Sequence, residues 1–120
     1  MPSVLALGLD PAFADYSQMP GLTPGQVGAF IDAQLERLRE AGYEVDSCLV
    51  DTGAAAEATL ARYLESKHFD CVMIGAGLRD AAQLRLFERL INAVHARAPD
   101  AKLCFNTRPD DTLDAVRRWV

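Results

Sequence analysis

Four short apolar runs punctuate the chain at near-regular intervals: Ser3 to Leu9, Tyr43 to Val50, Phe69 to Ile74 and Lys102 to Phe105. Each is rich in β-branched or aliphatic residues and too short for a buried helix, so each is predicted to be a strand. A stretch with helical spacing follows every one. Behind the first run, Val27, Phe30, Ile31, Leu35 and Leu38 recur on one helical face, and charged residues occupy most of the remainder. The start of this helix is marked by Thr23, Pro24 and Gln26, a Thr-x-x-Gln capping box with proline in the first turn, and Gly42 marks its end.

A second helix is predicted from about Gly53 to Lys67 with Leu60, Tyr63 and Leu64 inward, and Asp51 and Thr52 as candidate caps. For a third, Asp80 is the expected cap, and the expected stripe is Leu84, Phe87, Leu90, Ile91 and Val94. A fourth follows Pro109 and carries Leu113, Val116 and Trp119, with Thr107 and Asp110 at capping-box spacing.

Strict strand–helix alternation predicts an α/β fold, a three-layer α-β-α sandwich around a four-stranded parallel sheet. The expected spatial order is 2-1-3-4, in a single Rossmann-like, flavodoxin-like domain covering residues 1–120. In that order the connections from strands 1 and 3 leave in opposite directions. A crevice opens at the carboxyl ends of the strands, where open α/β sheets bind ligands.

Candidate chemistry gathers at that edge. Asp10 follows strand 1, Asp51 strand 2, Gly75, Gly77 and Arg79 strand 3, and Asn106 and Arg108 strand 4. The stretch "GAGLRD" reads in two ways. Glycines that allow close approach and positive φ, with Arg79 as a charge-assisted donor, fit a loop that holds an anion. The same residues fit a tight turn before a helix, and neither the third glycine of a dinucleotide fingerprint nor the lysine of a phosphate loop is present. The long segment from Pro11 to Leu22, with Tyr16 and Ser17, fits either a lid or a surface loop. Arg79 and Arg108 could hold a carboxylate or phosphate, or balance Asp10 and Asp51. Were the site catalytic, Asp10 or Asp51 would be the general base, and an arginine would stabilise developing negative charge.

Composition narrows the function classes. The chain has 120 residues, half of them apolar, and a net charge of −5 with no clustered basic face, which disfavours a nucleic-acid partner. No stretch is long and apolar enough to cross a bilayer, so no membrane partner and a cytoplasmic location are expected. Three cysteines, Cys48, Cys71 and Cys104, each sit in a strand-like run and read as small buried apolar residues. No Gly-x-Ser-x-Gly elbow occurs, and His68 and His95 have no paired spacing, so neither a serine hydrolase nor a metal site is expected. No cofactor is specified. The expected partner is a small anionic or polar ligand. The alternative is a non-catalytic module that pairs with a second copy through Arg117 to Val120 and the His95 face, as a homodimer.

In fold the chain is similar to receiver domains, but Gly75 and Asn106 stand where a receiver would carry its aspartate and lysine. The runs "VLALGLDP", "DCVMIGAGLR", "LFERLINAVHARAPDAK" and "CFNTRPDDTLDAVRRW" resemble a group of small α/β proteins of bacteria and fungi. That group has no established activity. The resemblance implies a stand-alone domain and contributes no catalytic residues.

Overall fold

A computed structural model describes residues 1–120. Its strands are β1 (Ser3–Leu9), β2 (Glu44–Val50), β3 (Cys71–Ile74) and β4 (Lys102–Phe105), and its helices are α1 (Pro24–Glu40), α2 (Ala56–Ser66), α3 (Leu84–Arg97) and α4 (Thr112–Arg117). All strand pairs are parallel and the order is β2-β1-β3-β4, as the alternation predicts. Asp10 N–H donates to Val50 O at 2.9 Å and Gly75 N–H to Leu7 O at 2.9 Å, so pairing continues to the carboxyl ends of β2, β1 and β3.

Residue parity along the strands divides the core into two layers. Leu5, Leu7 and Leu9 of β1 join Val72 and Ile74 of β3 under α2 and α3, where Leu60, Leu64, Leu86, Leu90 and Val94 cover them. Val4 and Ala6 face the other way with Cys71, Met73 and Cys104, against Leu35 and Leu38 of α1 and Ala115 and Val116 of α4. All three cysteines are free and fully buried, and burial pushes the Cys48 thiol up to about 11.

The Thr23 box forms as read. Thr23 Oγ1 accepts from Gln26 N at 3.2 Å, and Gln26 Oε1 accepts from Thr23 N at 2.9 Å. Gly42, at φ +100°, takes the left-handed turn out of α1. Thr23→Ala is expected to lower stability by about 1 kcal/mol, measured by urea unfolding; an unchanged midpoint would show that the cap contributes nothing.

Other boundaries differ from expectation. Asp51 does not cap α2: its Oδ1 accepts from Gly53 N at 2.9 Å, closing a local turn, and the helix begins three residues later with no side-chain cap. Asp80 makes no capping bond either, because two single 3-10 turns, Ala76–Arg79 and Ala81–Gln83, intervene before α3. The delayed start rotates the stripe of α3. Leu86, Leu90 and Val94 are buried and Leu84 is 59% exposed. Phe30, expected on the inner face of α1, is 46% exposed, and the polar Gln34 is buried instead.

At the amino-terminal edge, Asp70 accepts from Ser3 N at 2.8 Å and lies 3.2 Å from His68 Nε2. The Ser3 N–H holds the Asp70 carboxyl below its ordinary value of 3.8, with His68 helping less. A depressed folded-state pKa stabilises the fold above the unfolded value and loses that effect as pH falls through the folded one. Asp70→Asn should therefore be less stable than wild type at neutral pH, the gap closing below about pH 4; a gap that persists in acid would show that the effect is not ionic.

Candidate functional site

The site begins with small residues on one face of the central strands. Beneath α2 and α3 the sheet presents Leu7, Leu9 and Ile74. On the opposite face the corresponding positions are Ala6, Gly8 and Gly75, which project little or nothing toward α1. The shortfall in side-chain volume leaves a crevice of about 200 Å³ at the carboxyl half of β1 and β3. Val27, Ile31 and Leu35 of α1 roof it, and Leu49 and Met73 line its flanks. Asn106 and Thr112 also border it, from the carboxyl end of β4 and the start of α4.

Of the seven residues expected at this edge, Gly75, Gly77 and Asn106 line the crevice. The charged four do not, and no ionised side chain of any kind does. Asp10 Oδ1 accepts from Ala12 N at 3.0 Å in the turn after β1. Asp51 is held in its own turn as above. Arg108 is exposed and pairs with Asp110 at 2.6 Å. The predicted partner of Thr107 is displaced by one residue: Asp111, not Asp110, accepts from the Thr107 and Arg108 backbone amides and from the Thr107 hydroxyl.

Arg79 is occupied by the protein. Its guanidinium donates to Ile74 O, to Asn106 O and to Asn106 Oδ1, and it stacks over the Phe105 ring at 5.5 Å. The carbonyls at the ends of β3 and β4 have no further strand residue to pair with, and one planar, multiply donating cation satisfies both. Burial pulls the guanidinium below its ordinary value, with the Asp111 carboxylate opposing.

The two glycines of "GAGLRD" are not there for backbone strain. Positive φ occurs only at Gly21 and Gly42, and Gly75 is extended at φ −70°. A Cβ at Gly75 or Gly77 would meet its nearest neighbours at 3.6 and 3.5 Å, ordinary contacts. The segment is a 3-10 turn clamped to the core by Leu78, which is fully buried, and to β4 by Arg79.

Three polar side chains in the crevice, Gln34, Ser47 and Thr112, were not singled out by sequence reasoning. Gln34 is 7% exposed, and its Oε1 accepts from Arg37 Nη1 at 3.0 Å. Ser47, on β2, turns toward the same space. The available signal was Gln34 itself, a polar residue between Ile31 and Leu35 on the inward stripe of α1. Tyr16 is tied to its own loop by a bond to Pro11 O at 2.5 Å. His95 and Trp119 remain exposed. No cluster of three or more His, Cys, Asp or Glu residues is placed to hold a metal, and no helix is long and apolar enough to cross a membrane. Comparison with protein-family models and with curated proteins finds no match to this chain.

Proposed function

We propose that the protein binds a small molecule in the crevice between α1 and the carboxyl half of β1 and β3. The observation that carries this reading is the void itself. The crevice leaves apolar surface open to water that larger side chains at Ala6 or Gly8 would cover. It also sits at the point where the chain reverses direction across the sheet, the usual ligand position in open α/β folds. The lining is mostly aliphatic with four polar side chains, Gln34, Ser47, Asn106 and Thr112, which suits a largely apolar ligand with a polar group. An arginine-held phosphate fits poorly, because Arg79 and Arg108 both have protein partners.

Gly8→Val tests the reading. A Cβ at Gly8 meets only the flexible end of Leu49, at 3.4 Å, so the added methyls extend into the void. The variant should be more stable than wild type by about 1 kcal/mol, from strand propensity and apolar burial. It should also lose the methyl shifts that fragment-sized aromatic compounds induce at Ile31, Leu35 and Leu49 in the wild type. Fragments that bind both proteins equally, or that shift only methyls elsewhere, would overturn the proposal.

A further inference from the structure

The crevice holds two buried side-chain amides, and both are oriented by arginines. Arg37 Nη1 donates to Gln34 Oε1 at 3.0 Å, and Arg79 Nη1 donates to Asn106 Oδ1 at 3.3 Å. A guanidinium can only donate, so each amide must turn its oxygen toward the arginine and its NH2 away from it. The Asn106 NH2 gives one hydrogen to Thr112 Oγ1 at 3.1 Å, and a second remains. The Gln34 NH2 has no protein partner, although the residue is more than nine-tenths buried, and no buried polar atom is sealed off without a bond. Its nitrogen therefore keeps some accessible surface, and the residue lines the crevice. The rest of the crevice lining is aliphatic apart from the small hydroxyls of Ser47 and Thr112, and it contains no carboxylate.

We propose that the crevice selects a small, largely apolar molecule whose polar end is an acceptor-only group, a carbonyl or carboxylate oxygen, received by the Gln34 amide with Asn106 beside it. This deepens the reading above and rests on it. The Gln34 NH2 has no protein acceptor, and a ligand oxygen that displaces solvent from it supplies one in an otherwise aliphatic lining. A ligand offering N–H or NH3+ groups instead would face two donors with their own hydrogens and leave both sides unsatisfied. Apolar voids somewhat smaller than this one, about 150 Å³, already admit a benzene ring. The arginines lie behind the amides and polarise them, so the selectivity is built into α1 and the β3–β4 junction without placing a charge in the crevice.

The test uses five one-ring probes of similar size: benzene, acetophenone, benzoate, aniline and benzylamine. Binding is followed by methyl shifts at Ile31 and Leu35 and by the side-chain NH2 resonances of Gln34 and Asn106. Acetophenone or benzoate, or both, should bind about tenfold more tightly than aniline and benzylamine and move the Gln34 NH2 resonances. Which of the two binds better distinguishes a neutral carbonyl ligand from a carboxylate. Gln34→Met should remove that advantage, so that acetophenone and benzoate bind no more tightly than aniline and benzylamine. Gln34→Glu, whose carboxylate can still accept from Arg37, should reverse the order in favour of the donors. Benzene binding without any acceptor preference, or a preference that survives Gln34→Met, would overturn the inference and leave the binding-site reading intact. Failure of all five probes to shift any crevice methyl would overturn both.

Discussion

Arg79→Ala should cost about 3 kcal/mol and lower Tm by about 10 °C, a large loss for one partly exposed side chain. The guanidinium is the partner of three acceptors, Ile74 O, Asn106 O and Asn106 Oδ1, carried by two adjacent strands at the point where their ladder ends. Removing it leaves carbonyls at a partly buried edge with no donor of comparable reach, and frees the Asn106 side chain, which is 4% exposed, to rotate. Lysine should rescue less than half of the loss, because a single ammonium cannot span both strands as the planar fork does. Asn106→Ala combined with Arg79→Ala should cost less than the sum of the two, since they share bonds. Urea unfolding at constant slope reads all of these, and a loss below about 1 kcal/mol for Arg79→Ala would refute the clip. The same variant is a poor probe of an anion site, since any change in ligand response would follow from loosening β3 against β4.

The legibility of the sequence divides along physical lines. The strands and the α1 cap were readable because both depend on local pattern, four isolated apolar runs and a Thr-x-x-Gln box with a proline between its members; the strand order was an expectation from the usual topology of such alternation, which the structure matches. The start of α3 was not readable. Asp80 and Gln83 have capping-box spacing, but Leu78 must reach the core between α2 and α3, and this tertiary demand tightens the preceding residues into 3-10 turns. The position of the crevice was readable as an edge of the sheet; its character was not. Charged residues stood out in the sequence at that edge, yet charges at strand ends find backbone and side-chain partners there. The residues that form the void, Ala6 and Gly8, are inconspicuous because their contribution is absent volume. Gln34 carried a signal, a polar side chain on an apolar stripe, whose meaning depends on Arg37 one turn away holding its oxygen.

The turn after β3 joins the two layers, and Leu78→Ala should expose that link. Leu78 is fully buried among the side chains beneath α2 and α3, whereas Gly75 and Gly77, three residues and one residue before it, border the crevice on the α1 side. Truncation leaves a cavity in a close-packed layer and should cost about 3 kcal/mol. It also removes the anchor that holds the turn against β1, so the Leu78 N–H, bonded to Gly75 O at 3.2 Å, should exchange with solvent faster than the global loss of stability accounts for. Acetophenone affinity should fall as well, although Leu78 does not itself line the crevice, because the backbone of Gly75 to Gly77 would no longer be held in one position. Leu64→Ala provides the contrast. Leu64 belongs to the same buried layer but lies at the far end of α2, toward the amino-terminal edge of the sheet. It should lower global stability by a similar amount and leave probe affinity unchanged. Equal losses of affinity in the two variants would mean that binding follows overall stability, and the turn would then have no special part in shaping the site.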